Sequence, residues 1–175
     1  VSGYLAIAGA PHSDSMDIDD SGSAYIFVRS GNQWIQQAKL MASDGDAYDH
    51  FGCSVSISGD TALVGAHQDE NSGSAYVFVR NDGLWVEQVK ITASDGAQDD
   101  LFGQSVSISE QMILVGSPKW DQGGTDTGSI YAYGFIPNTT LLADIQQLAI
   151  NEVMYHPNVP GLATDQTYTQ FIELV

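Results

Sequence analysis

One phrase is written twice in this chain, and it constrains the fold more than any other feature. Residues 51–67 read FGCSVSISGDTALVGAH, and residues 102–118 read FGQSVSISEQMILVGSP. Laid over each other without a gap, residues 22–58 and 73–109 agree at 22 of 37 positions. Agreement at that level over a period of 51 residues means repeated supersecondary units rather than one irregular domain. Further pieces recur in the same order. GSAYIFVR (22–29) returns as GSAYVFVR (73–80) and more loosely as GSIYAYGF (128–135). WIQQAKL (34–40) returns as WVEQVKI (85–91), and ASDG recurs at 42–45 and 93–96. The opening SGYLAIAGAP matches SGDTALVGAH, so the first copy enters at its second segment.

Each copy reads as four short strands. Ser54 to Ser58 alternates serine with Val55 and Ile57, the two-residue period of a half-buried strand. Ala62, Leu63 and Val64 run apolar without a break, as in a central strand covered on both faces. Ala75 to Val79 is aromatic and β-branched, and Trp85 to Ile91 mixes polar with apolar residues like an edge strand. SGN (30–32) and NDG (81–83) offer glycine where a hairpin needs positive φ. No stretch before about residue 140 has a helical period. Four strands per 50 or so residues, repeated, is the sequence form of a β-propeller blade. A β-sandwich or a solenoid is the alternative, but neither requires near-identical four-strand units.

The paired motifs Phe51-Gly52 and Phe102-Gly103, with Gly9-Ala10-Pro11, Gly65-Ala66 and Gly116-Ser117-Pro118, resemble FG-GAP repeats. The resemblance covers residues 1–136. It implies the blades of an integrin-α-like propeller, of the kind also carried by bacterial surface proteins. The physical reading stands beside it. Phe51 and Phe102 fill the space between neighbouring blade faces, while Gly52, Gly65, Gly103 and Gly116 permit close backbone approach. Trp34 and Trp85 recur as a further structural pair. One complete blade and two partial ones are expected. Known propellers close with at least four, so the remaining blades are expected from upstream sequence or from other chains.

After Phe135 the repeat fails, and IPNTTLLADIQ (136–146) reads as a linker, here placed at 137–147. Asn138-Thr139-Thr140 within it is a glycosylation sequon. INEVMYHP (150–157) followed by FIELV (171–175) is similar to the opening of the lamin-tail domain, an immunoglobulin-like sandwich appended to secreted bacterial proteins. Residues 148–175 are therefore expected to begin such a domain. The fold class as a whole is all-β, and the chain reads as a fragment of a larger secreted protein.

Charge narrows the partners. With 22 acidic residues against 5 basic ones, the net charge is −17, and so anionic a surface repels phosphate backbones and anionic headgroups. Nucleic acid is excluded as a partner, and no apolar run is long enough to insert in a bilayer as a helix. Cys53 is the only cysteine, which rules out an internal disulfide and any multi-cysteine zinc site.

Acidic loops are the main candidates for ligand chemistry. Asp17, Asp19, Ser21 and Gly22 form the first half of a calcium loop, with Ser23 offering a carbonyl. The closing bidentate acid is missing, because Val28 stands in its place. The family's own calcium loop would precede the Gly-Ala-Pro motif, where this chain has only SGDTA (58–62) and SEQMI (109–113). Calcium is thus the one cofactor considered, and solvated turns are the alternative. Asp44, Asp49, Asp95 and Asp100 recur in register and are expected to cap turns. Arg29 and Arg80 lie across hairpins from Trp34 and Trp85, which suggests cation–π stacking, with a surface salt bridge or simple solvation as the alternative. His12, His50, His67 and His156 have no metal-ligand spacing, and no serine sits in a nucleophile elbow. No catalytic residue is assigned. The resulting expectation is a non-catalytic extracellular or cell-surface module that binds a protein or glycan. The alternatives are the accessory region of a secreted hydrolase, or a subunit of a surface filament or layer.

Overall fold

A computed structural model of the chain describes residues 1–14, 18–110, 112–121, 127–136 and 149–155. The described chain is all-β, with one 3-10 turn at Asp69–Asn71. Three antiparallel sheets follow one another along the sequence. The first holds β1 (Leu5–Ala10), β2 (Ser23–Ser30) and β3 (Gln33–Leu40). The second holds β4 (Ser54–Ser58), β5 (Thr61–Ala66), β6 (Ser74–Asn81) and β7 (Leu84–Ile91). The third holds β8 (Ser105–Ile108), β9 (Met112–Ser117), β10 (Ser129–Ile136) and β11 (Ala149–Tyr155). Within each sheet the strands are laid down in sequence order, the up-and-down meander of a propeller blade.

The turns are made by the residues that suit them. Gly31 opens the β2–β3 connection at φ 61°, and Asp82-Gly83 connects β6 to β7 with φ positive at both positions. These are the primed-turn conformations whose twist matches that of the strands they join. The repeat extends to irregularities as well. A bulge falls between Ile26 and Phe27 in the first sheet and between Val77 and Phe78 in the second.

The strand count differs from the sequence reading in the third sheet. One complete blade was the expectation, yet two sheets have four strands, because β11 pairs antiparallel with β10 from Ile130↔Tyr155 to Ile136↔Ala149. Seven ladder pairs satisfy the backbone along an edge of β10 that would otherwise stay open. The strand comes from the stretch read as the start of a lamin-tail-like domain. Residues 137–147, the expected linker, and 156–175 lie outside the described residues.

Two apolar cores separate the three sheets. Phe51 lies in the first, edge-on to Tyr76 and Phe78 at 5.4 and 6.0 Å, together with Leu5, Ile26, Leu40 and Val64. Phe102 lies in the second, edge-on to Tyr131 at 5.1 Å, together with Leu63, Val77, Ile113 and Val115. The Phe-Gly insert therefore fills the gap between blades, as the repeat suggests. Trp85 packs against the first core and its indole N–H donates to Gln37, whereas Trp34 stands exposed.

The insert is pinned from both sides. Phe51 N–H donates backward to the Ser21 carbonyl, and Gly52 N–H donates forward to the Gly65 carbonyl. One repeat later, Phe102 N–H donates to Ser72 and Gly103 N–H to Gly116. Glycine is needed because the backbones nearly touch. A Cβ on Gly65 would collide with the Gly103 carbonyl, and a Cβ on Gly103, at φ 86°, would collide with the Ser74 carbonyl. Gly9, Gly52 and Ser23 repeat that interlock in the first junction.

Substituting Gly103→Ala should lower the unfolding free energy by at least about 2 kcal/mol, combining a strained φ with overpacking. Gly31→Ala has a similar φ but open space around it, and should cost only about 1 kcal/mol. Chemical denaturation of the two variants checks the contrast, and equal losses would show that contact is not the issue.

Candidate functional site

In the first two sheets the hairpin turns gather at one end, and the long connections at the other. The latter are residues 11–22, 41–53, 67–73 and 92–104, which join strands within a blade or carry the chain to the next one. Acidic residues concentrate at this end, and the structure gives them distinct roles.

Asp49 and Asp100 cap turns as expected. Asp49 accepts the Asp46 N–H at 2.6 Å, and Asp100 accepts the Ala97 N–H at 2.7 Å. Both are buried. Burial pushes the Asp49 carboxyl up to about 6, with the charges of Asp69 and Asp46 adding to it against the Asp46 N–H. Asp100 is raised for the same primary reason. Asp44 and Asp95 do something else: they receive side-chain donors. Asp44 accepts from Tyr76 hydroxyl at 2.9 Å and Lys90 at 2.7 Å, while Asp95 accepts from Tyr131 hydroxyl at 2.7 Å and Trp120 indole at 2.9 Å.

Lys90 is the centre of the first junction's charge network. Its ammonium lies 2.7 Å from Asp44, 2.7 Å from Asp69 and 3.0 Å from Glu70, and over the Tyr76 ring. Although burial opposes its charge, these acids hold its proton more tightly than in an ordinary lysine. The Asp69 side chain is only 4% exposed, so removing the ammonium strands a buried carboxylate. Partial burial disfavours ionisation of Asp44, but hydrogen bonds from Lys90 and Tyr76 and the Lys90 charge outweigh it and hold the carboxyl below its usual range. Its contribution to stability is therefore full above the ordinary carboxylate pKa of about 3.9, and is lost as the pH falls below that. Lys90→Met should cost about 3 kcal/mol. Because the raised Asp49 and Asp100 carboxyls gain stability as the pH falls, the Asp44 contribution is read as a difference between proteins. Thermal melts should show a larger Tm deficit of K90M relative to the wild type at pH 5 than at pH 3.

The described residues hold only part of the expected calcium loop. Asp17 lies outside them. Asp19 is exposed, and its carbonyl accepts the Tyr48 N–H. Ser21 is buried with its carbonyl on Phe51 N–H. Ser23 is buried at the start of β2, its hydroxyl accepts from Ser13, and its carbonyl packs against Gly52. These oxygens serve the blade junction. The arginines find partners other than the hairpin tryptophans. Arg80 lies over the Tyr4 ring at 5.8 Å and pairs with Asp60, and Arg29 donates to the Gly31 carbonyl. Cys53 is half-buried, donates to the Gly103 carbonyl at 3.6 Å, and has its thiol pushed up by burial.

What the sequence reading missed is a histidine cluster. His12 follows β1, His50 precedes Phe51, and His67 follows β5, yet all three meet at the first junction. The rings of His12 and His50 are edge-on at 4.8 Å, and those of His50 and His67 stack at 5.4 Å. Asp20 lies 3.7 Å from His12 Nδ1, and its carbonyl accepts the His50 N–H at 3.3 Å. Ligand-type atoms of His12, Asp20 and His50 all lie within 4.8 Å of one another. The Nδ1 atoms of His50 and His67 are buried and have no hydrogen-bond partner among the described residues. Burial, with neighbouring imidazoles adding to it, holds His50 and His67 below the ordinary histidine range. The overlooked signal was a departure from the repeat. At the equivalent places around the second junction the chain has Gln68, Asn71, Leu101 and Pro118. His156 lies outside the described residues.

No curated protein matches the chain. A family model for the FG-GAP repeat matches residues 34–78 and 85–133, together more than half of its length. Each match runs from the last strand of one blade to the third strand of the next, and so spans a Phe-Gly junction. On that match and the junction geometry, the chain belongs to the FG-GAP repeat family.

Proposed function

We propose that this chain is a non-catalytic interaction module that works outside the cell or at its surface, with a protein as its ligand. FG-GAP repeats are typical of extracellular adhesion and interaction modules. The acidic surface suits such a setting, and no helix among the described residues is long and apolar enough to cross a membrane.

The observation that carries this reading is the outer face of the third sheet. Leu114 is 38% exposed and Ile130 is 50% exposed, with Met112 beside them. Their counterparts one blade earlier, Leu63 and Ala75, are 0% exposed because the third sheet covers them. A face with the apolar pattern of a blade junction, and no neighbour over it among the described residues, is a surface suited to a protein ligand. In this reading Lys90 and its acids act structurally, and the loop end adds polar contacts around the apolar face.

Replacing Leu114 and Ile130 with glutamate removes the apolar face while leaving the buried side of the sheet alone. Sedimentation velocity of the whole chain should show concentration-dependent association in the wild type and its loss in L114E/I130E. Association that persists unchanged in the variant, or a wild type that stays monomeric, would count against the reading.

A further inference from the structure

The histidine cluster at the first junction carries an inference beyond interaction through an apolar face. We infer that His12, Asp20 and His50 form a binding site for a divalent transition-metal ion of the zinc class.

Geometry comes first. Zinc ligands about 2.0–2.1 Å from the metal stand roughly 3.4 Å apart in a tetrahedral site. His12 Nδ1 and Asp20 Oδ1 are already 3.7 Å apart, and every pair in the set lies within 4.8 Å. A small closing movement brings all three onto one ion. His12 is exposed and can make that movement, whereas His50 is held by its backbone hydrogen bond to Asp20 and by the stacked ring of His67. Asp20 is held in turn by its own N–H, which donates to Asp14 Oδ1 at 3.0 Å.

Chemistry selects the class of metal. Two imidazoles and one carboxylate suit borderline ions such as Zn²⁺, whereas Ca²⁺ takes six to eight oxygens. Three protein ligands at a partly exposed site leave a position for water or for a ligand from a partner.

Architecture does not account for these residues. The second junction holds the same main-chain arrangement with Gln68, Asn71 and Leu101, and Leu101 even shares the left-handed backbone of His50, with φ 59° against 56°. Packing therefore needs no imidazole there. Leaving the His50 Nδ1 buried without a partner among the described residues is costly, and nothing in the blade requires it.

The test is calorimetric titration of the full chain with ZnCl2 in an excess of Mg²⁺, which occupies nonspecific carboxylates. One Zn²⁺ per chain should bind. H12Q, D20N and H50L, which install the residues of the second junction, should each weaken binding by about tenfold or more, and the triple variant should abolish it. Excess Ca²⁺ should not displace the zinc. Histidine ring signals in the NMR spectrum of the wild type, which need no variant, should shift for His12 and His50 at one equivalent. Absence of binding, undiminished affinity in the triple variant, displacement by Ca²⁺, or unshifted His12 and His50 signals would each overturn the assignment.

Discussion

The close approach of three backbone segments at each blade junction is the constraint on which the rest of the structure depends. The glycine of the Phe-Gly pair lies against the carbonyl of a serine that opens a strand in the preceding blade. Its own carbonyl lies against the glycine of that blade's Gly-Ala segment. Neither contact tolerates a Cβ. Once the glycines permit it, the adjoining phenylalanine is delivered into the core between two sheets, where Phe51 and Phe102 are almost wholly buried. Hydrogen bonds run from the dipeptide to both blades, so the same few residues set the spacing, the register and the apolar seal. A motif with that many simultaneous duties is strongly restricted, which is the physical reason it recurs unchanged while the loops around it vary.

Electrostatics is layered on this frame. Each junction has a recurring acid that receives a tyrosine hydroxyl, yet the second donor differs: Lys90 for Asp44, and Trp120 for Asp95. The acid is part of the repeat, and its partner is local. In a chain of net charge −17, Lys90 meets three acids at once, of which Asp69 is buried and Asp44 and Glu70 are exposed. The histidine cluster occupies the same end of the first junction, so that junction differs from the second in chemistry far more than in backbone.

Much of this was legible in the sequence because the repeat states each strand twice. Val55 and Ile57 of β4 have Val106 and Ile108 of β8 as their echo, and the hairpin glycines mark the turns between strands. β11 was not legible as part of a blade. Ala149 to Tyr155 lacks the Trp-and-Lys pattern of β3 and β7, and it follows β10 after 12 intervening residues rather than two. Strand pairing is decided by which edge is available, and local sequence does not encode that. The sequence left the partner of Arg80 open for a related reason. Trp85 is its cross-strand neighbour, but groups on the first blade draw the two apart, Tyr4 for the arginine and Gln37 for the indole. His12, Asp20 and His50 are joined only by the blade junction, so no spacing rule could have found them.

Native-state hydrogen exchange at the junction amides tests the central claim most directly. If the Phe-Gly insert holds the blades together, the N–H groups of Phe51, Gly52, Phe102 and Gly103 should exchange only through global unfolding, together with those at the centres of β5 and β6. Exchange of these four amides at the rate of the surrounding loops, while β5 and β6 remain protected, would show that each blade is stable by itself and that the junction is a consequence of the fold rather than its cause.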